Sequence, residues 1–410
     1  MSNIISNLWR LPSEVSQQLI HSSRSVQIFF LALFYLTLVK ILRFRAVRKL
    51  QSTYAPYIGD PYSMDYKTAH EIMKLTILYE FPFMNFFATQ WALIKTYGIA
   101  SGTKLLVQTR QLAAENKAAK RAEDTSAILS EFLIGSVDSE RGLRALSKMN
   151  WLHRRYSSKI SNDEMIHTLA MFVLEPMRWI ERYEWRPMTE LEKVAIFTYW
   201  KEIGNRMGIK NIPKTLHALE VWAEDFEIHH MVYADSNRAC MDATLNMFLR
   251  NIPKPLRNFG RNVASSLLEE RVRLAVGLPG PPWWVSRLTK SFFSVRAWLL
   301  RNCFLPRLHK LDILVPPGPD GRIQRDRYLF EPWYVKDTTW NTWSTWLRTG
   351  GRLRPSPKYK SAGYLPEELG PVEFEKASKE PVLKEAEDMK IYADKGGAAI
   401  VGCPFAFGGN

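Results

Sequence analysis

Cysteine is scarce in these 410 residues: three occur, Cys240, Cys303 and Cys403, far apart and odd in number. That excludes a disulfide-stapled scaffold and points to a reducing compartment for the main domain. Period-two apolar runs bounded by turn residues are few, so no sheet is expected to organise the chain. The sequence holds no Walker phosphate loop, no G-x-G-x-x-G, no G-x-S-x-G elbow and no H-E-x-x-H. Those absences remove the usual nucleotide-binding, serine-hydrolase and zincin chemistries. No repeat of fixed period is visible. Acidic residues fall short of basic ones, 41 against 56, for a formal net charge of +15. The basic residues are dispersed and accompany no nucleic-acid-binding motif, so nucleic acid is not the expected partner. They gather around apolar segments instead, as in proteins that lie on anionic lipid.

What is present begins with apolar content. Hydrophobic residues make up 46% and aromatics 12%, enough for a large core and too much for a disordered chain. One run is long enough to consider as an anchor: VQIFFLALFYLTLVKIL, residues 26–42. At about 1.5 Å per residue it reaches roughly 25 Å, and Lys40 can snorkel to stretch the fit. Arg43, Arg45, Arg48 and Lys49 follow it, against Arg10 and Arg24 before it. The positive-inside rule then places the rest of the chain in the cytosol. The expected organisation is a short lumenal segment (1–25), a transmembrane anchor (26–42) and a basic juxtamembrane linker (43–66). A helical domain (67–310) and a Pro/Trp-rich C-terminal region (311–410) follow.

The fold class expected is all-α. Ser161-x-x-Glu164 and Thr189-x-x-Glu192 each have the form of a capping box opening an apolar periodic stretch, and Pro187, Pro213, Pro253 and Pro255 punctuate at helix-sized intervals. In residues 281–307, Leu288, Phe292, Val295 and Leu299 share one helical face, opposite Arg287, Lys290, Ser294 and Arg301. With Trp283, Trp284 and Trp298 this reads either as a membrane-surface helix, 283–301, or as an ordinary helix packed on the domain. After residue 311 prolines and glycines describe an irregular region, while Trp333, Trp340, Trp343 and Trp346 argue that part of it is packed.

Chemistry has few candidates. In KRAEDTSAIL, residues 120–129, a helix puts the Arg121 cation and the Thr125 hydroxyl one turn apart on one face. His153 recurs with Leu143, Leu146, Met149 and Tyr156 at helical steps, hence on an apolar face. It is either a hydrogen-bonded core histidine or an axial haem ligand. Two Glu-x-x-His pairs, Glu164/His167 and Glu227/His230, have the spacing of a di-iron carboxylate bundle, with Glu131 and Glu202 available to complete one. Cys403 could in principle ligate haem as thiolate, although a solvated terminal cysteine is the plainer reading.

Several stretches together resemble one family. They are the N-terminal anchor, EFPFMNFFATQWALIKTYGI (80–99), KRAEDTSAIL, WLHRRY (151–156), HTLAMFVLEPMRWIERYEWR (167–186), LEVWAEDFE (219–227) and a terminal GCPF. In order and spacing the chain resembles the fungal ER-bound oxygenases and, through them, the rubber-oxygenase (latex-clearing-protein) catalytic domain. The resemblance implies a globin-like helical domain with haem b, single-pass in the endoplasmic reticulum membrane and cytosolic. It further implies O₂-dependent cleavage of a carbon–carbon double bond in a prenylated or terpenoid intermediate of fungal secondary metabolism. Membrane lipid, that hydrophobic substrate and O₂ are the partners implied, with a reductase or pathway enzymes as further candidates. By motif, His153 is the expected metal ligand and cofactor-binding residue, and Arg121 and Thr125 the expected catalytic pair. The rubber oxygenases carry a lysine one residue before that threonine, where this chain has Asp124. Counting back to the family's general base reaches Leu105, with Gln108 and Glu115 the nearest polar residues, so no base is assigned. A di-iron oxygenase and a non-catalytic membrane scaffold or lipid-handling protein are the alternatives.

Overall fold

The computed structural model describes residues 23–109 and 115–395. Cys403, the terminal GCPF and most of the proposed lumenal segment lie outside the described residues. Among those described the chain is helical, and β pairing is limited to three isolated bridges, such as Ile323 with Tyr364.

Helix α1 (Arg24–Arg43) extends the apolar run by two residues upstream and one downstream. Its 20 residues reach about 30 Å, the thickness of a hydrocarbon core. Its middle meets almost nothing: Leu31 and Phe34 are each 68% exposed. With α2 (Arg45–Thr53), which follows a break at Phe44, it forms the one candidate membrane span among the described residues. Part of the segment read as a linker is thus helical, with Val47 and Leu50 buried.

The domain proper is a stack of capped helices. Asp65 accepts from the Lys67 and Thr68 amides to start α3 (Tyr66–Leu75), and Pro82 opens α4 (Pro82–Lys95) at a position where its missing N–H costs nothing. Next come α5 (Ala100–Gln108), α6 (Glu115–Leu133) and α7 (Glu140–Arg154), the last capped by Ser139. Both expected capping boxes form: Ser161/Glu164 opens α8 (Asn162–Tyr183) and Thr189/Glu192 opens α9 (Glu190–Arg206). Helix α8 packs on α4, and α9 on α3. Leu169, Val173, Ile180, Val194, Phe197 and Ile203 are buried at these contacts, and their burial is the main stabilising term. Helices α10 (Leu216–His230), α11 (Asp235–Leu249), α12 (Lys254–Leu267) and α13 (Glu270–Ala275) close the far side.

Helix α14 (Trp283–Asn302) docks through Val285, Thr289 and Phe293 and leaves Leu288, Phe292 and Val295 exposed. Its C-terminus is tied to α1: Lys40 Nζ donates to Asn302 Oδ1 (2.7 Å), and Tyr35 Oη to the Cys303 carbonyl (2.9 Å).

The C-terminal region straps the domain. Tyr334 Oη donates to Asp124 Oδ1 (2.6 Å), and the Leu329 and Phe330 amides donate to Glu123 Oε1 (2.6 and 2.8 Å). Two helices occur in it, α15 (Thr339–Thr349) and α16 (Lys379–Asp394), the second packed on α7. The tryptophan argument holds for Trp333, which packs on the core, while Trp340, Trp343 and Trp346 are exposed on α15.

Candidate functional site

Arg121, Thr125 and His153 line one cavity of about 330 Å³ between α4, α5, α6, α7 and α8. Its walls are mainly apolar, with Leu93, Leu105, Ile128, Leu152, Phe172 and Trp200 among them. The size lies at the lower end of the range for sites that enclose a small molecule.

His153 sits in the last turn of α7. Its Nδ1 donates to the Met149 carbonyl one turn back (2.8 Å), which leaves Nε2 with a free lone pair. Burial pushes this imidazole down to about 4, and the Arg121 charge adds to the shift, against the opposing pull of the Met149 bond. It is therefore neutral at physiological pH. A neutral ring with one nitrogen pinned to a backbone carbonyl is the arrangement that orients a metal-ligating histidine. His153 is thus hydrogen-bonded, as a core histidine would be, and it also faces a cavity, as a ligand would have to. It also walls a smaller adjoining cavity of about 190 Å³ with Ser157, Met165 and Gly208.

The Arg121 guanidinium makes no hydrogen bond or ion pair among the described residues. Burial lowers its pKa, with Asp124, Tyr156 and Tyr97 opposing the shift. A cation without a partner at the wall of an apolar cavity is costly, so its presence there argues for a polar or anionic group that the site is built to receive. Thr125 Oγ1 donates to the Arg121 carbonyl (2.9 Å), which holds the hydroxyl oxygen at the same wall. Asp124 is absent from the cavity lining. It is buried on the strap side, bonded to Tyr334 and to Lys120 Nζ (2.8 Å), and burial raises its pKa. Leu105 is part of the wall, and Gln108 accepts from Lys159 at the surface.

One group that sequence reasoning passed over is Tyr97, inside the quoted TYGI. Its hydroxyl accepts from Thr244 Oγ1 (3.2 Å) and keeps its own proton available, with burial pushing its pKa up to about 12.

The di-iron constellation is not assembled. Glu131 forms a bidentate pair with Arg141 (2.7 Å twice), Glu202 pairs with Arg206 (2.8 Å), and Glu164 is occupied by its capping box and Ser101. His230 is exposed, and only His167 and Glu227 meet, at 3.4 Å. No cluster of three or more metal-ligating side chains occurs among the described residues. Helix α14 contributes no residue to the cavity wall. Cys240 is buried with its thiol pushed up to about 11, hence unreactive.

A helical domain that encloses an apolar cavity with a neutral histidine and an unpaired arginine, carried on an apolar N-terminal helix, suits a membrane-associated oxygenase. Residues 86–302 match the family described as "ER-bound oxygenase mpaB/B'/Rubber oxygenase, catalytic domain". The chain is 32% identical over 387 residues to "ER-bound oxygenase mpaB'" of Penicillium brevicompactum, covering 87% of this chain and 90% of that one. It is 34% identical over 257 residues to "ER-bound oxygenase mpaB" of Penicillium roqueforti (strain FM164), covering 59% and 86%. A further P. brevicompactum protein, "ER-bound oxygenase mpaB", is 30% identical over 327 residues, covering 75% and 77%. The chain belongs to the mpaB/rubber-oxygenase family, and is with it an oxidoreductase.

Proposed function

We propose that this protein is a haem b-dependent oxygenase, held by a single membrane span at the cytosolic face of the endoplasmic reticulum. It acts on a carbon–carbon double bond in the prenyl or terpenoid part of a hydrophobic fungal metabolite. The observation that carries this reading is the His153 ring, neutral and backed by Met149, in one apolar cavity with an unpaired Arg121. His153 Nε2 would hold the iron, and haem b, when bound, supplies the activation of O₂. Arg121 and Thr125 supply a fixed cation and a hydroxyl where charge develops, in a wall that excludes water. The leucine- and isoleucine-lined wall binds an isoprenoid chain at about 0.8 kcal/mol per buried CH₂. Putting both atoms of O₂ into two carbonyl products needs no external electrons. Inserting one atom needs two electrons and thus a reductase partner, since the chain has no dinucleotide motif.

The test is an absorption spectrum of the full chain purified in detergent, with a pyridine haemochrome assay, beside His153→Ala. A Soret band near one haem per chain, lost in the variant, is the expected result. No band in folded protein expressed with haem would overturn the haem reading and favour the scaffold alternative.

We also propose that α14 lies on the bilayer. Its exposed Leu288, Phe292, Val295 and Trp298 are flanked by Arg287, Lys290 and Arg301, and its end is tied to α1 through Lys40 and Tyr35. An environment-sensitive fluorophore on Phe292→Cys, with Cys303 and Cys403 replaced by serine, should be quenched by spin-labelled lipid in reconstituted vesicles. A fully water-quenched probe would refute the contact.

A further inference from the structure

The cavity has a second histidine whose surroundings differ in kind from those of His153. His167, on α8, is 1% exposed and contributes to the cavity wall. Its Nε2 lies 3.4 Å from Glu227 Oε1 on α10, and its ring packs on Phe226 (5.1 Å between centroids). Nδ1 has no hydrogen-bond partner among the described residues.

Glu227 belongs to a buried ionic cluster. Lys95 Nζ, at the end of α4, reaches Glu175 (3.1 Å), Glu227 (3.2 Å) and Glu269 (3.0 Å). Arg178 pairs with Glu175 (3.1 Å), and Arg271 reaches Glu227 Oε2 (3.6 Å). Arg182 reaches Glu269 (3.3 Å) from a half-exposed position. At the centre Lys95 and Arg178 face Glu175 and Glu227, so these four inner charges balance without one on His167, while Arg182, Arg271 and Glu269 lie further out. An imidazolium there would add a surplus cation beside an apolar cavity that already holds Arg121. Burial alone would raise the Glu227 carboxyl, but the hydrogen bond from His167 and the charge of Lys95 outweigh it and hold it below the ordinary range. Glu227 is therefore an anionic acceptor, and it fixes the ring as the tautomer with the proton on Nε2. That leaves a lone pair on Nδ1, the remaining polar valence of a ring that borders the cavity.

A buried imidazole oriented through one nitrogen by a carboxylate, with the other nitrogen free, is the arrangement of a general base. Resting on the oxygenase reading, we propose that His167, positioned by Glu227, accepts a proton from the cavity-bound substrate. The bond broken is a substrate C–H or O–H. Its electron pair stays on the substrate, the proton moves to Nδ1, and Glu227 compensates the imidazolium until the proton returns to product. Glu227 acts through His167 and is a positioning residue.

His167→Gln tests this in the full-length, cofactor-loaded protein, because the glutamine amide can still donate to Glu227 while lacking a basic nitrogen. With farnesol as probe substrate, the expected result is a fall in kcat of about 10²-fold or more at unchanged KM. The acid limb of the wild-type pH–rate profile should vanish, while melting temperature and visible spectrum stay the same. Wild-type kcat in His167→Gln would overturn the proposal. An independent readout uses ¹⁵N-histidine labelling of the cofactor-free full chain, with His167→Gln as the assignment control. The ring should show Nε2 protonated and Nδ1 bare, with Nδ1 shifting on addition of farnesol. A Nδ1–H tautomer or an imidazolium at pH 7 would also overturn it. Absence of wild-type turnover with farnesol would count against the oxygenase reading of substrate class, whereas the tautomer tests His167 on its own.

Discussion

Two histidines, His70 in the core and His153 at the cavity, have the same charge state for the same main reason and sit in different surroundings. Burial pushes each down to about 4, and each bonds to a backbone carbonyl, His70 through Nε2 to Leu133 (2.9 Å) and His153 through Nδ1 to Met149. The ring of His70 is stacked on Tyr199, with centroids 4.4 Å apart, inside packed core. The ring of His153 borders a cavity, next to a cation without a partner. A depressed pKa is thus common to both rings, and only the space beside His153 leaves room for a ligand.

The sharpest way to break the comparison is to delete each ring. His153→Ala should abolish the Soret band and turnover while leaving a cooperative melt. His70→Ala should keep both and lose about 2–3 kcal/mol of stability, from the orphaned Leu133 carbonyl and the space left behind. If both variants lose haem equally, the distinction fails.

A second contrast concerns arginines. Arg186 is buried with Glu192 (2.8 Å) and Glu80 (3.2 Å), so Arg186→Leu strands two carboxylates and should cost about 3–5 kcal/mol by denaturant unfolding. Arg121→Leu strands nothing. In cofactor-free protein it should unfold at or above the wild-type denaturant midpoint, with turnover of the loaded enzyme lost.

Smaller again is the pH dependence of stability. The unfolded imidazole titrates near 6.5, so between pH 6.5 and 4 the unfolded chain binds more protons and stability falls as pH falls. In the cofactor-free protein both His70 and His153 contribute in this direction. Glu123 opposes them. Burial raises its carboxyl to about 7, against Arg325 and the backbone amides of the strap, so its contribution is complete below about 4.5 and lost as pH rises through 7. Melting curves from pH 4 to 7 should therefore show a steeper acid decline in Glu123→Gln and a shallower one in His70→Phe. The smallest expected effect is on Thr125→Val. Its hydroxyl bonds only its own helix, so stability should change by less than about 0.5 kcal/mol while turnover falls.

How much of this could be read beforehand follows from the range of the interactions. The capping boxes at Ser161 and Thr189 are local, and they were legible. Helical period joined to a familiar order of motifs singled out Arg121, Thr125 and His153, and the three line one cavity. Interactions between distant segments were not. Lys95 meets partners 80, 132 and 174 residues away, and no local pattern announces such a cluster. Glu-x-x-His spacing suggested a metal site because spacing cannot show that Arg141 and Arg206 already hold two of the carboxylates. Trp340, Trp343 and Trp346 misled for a related reason: bulk predicts burial only on average.

The C-terminal strap has a consequence for the order of events during synthesis. The helix bearing Arg121 is held by Leu329, Phe330 and Tyr334, more than 200 residues downstream, and the helix bearing His153 is covered by Lys379–Asp394. The apolar helix Arg24–Arg43 is made well before either segment, so the chamber stays unfinished until the strap and Lys379–Asp394 have emerged.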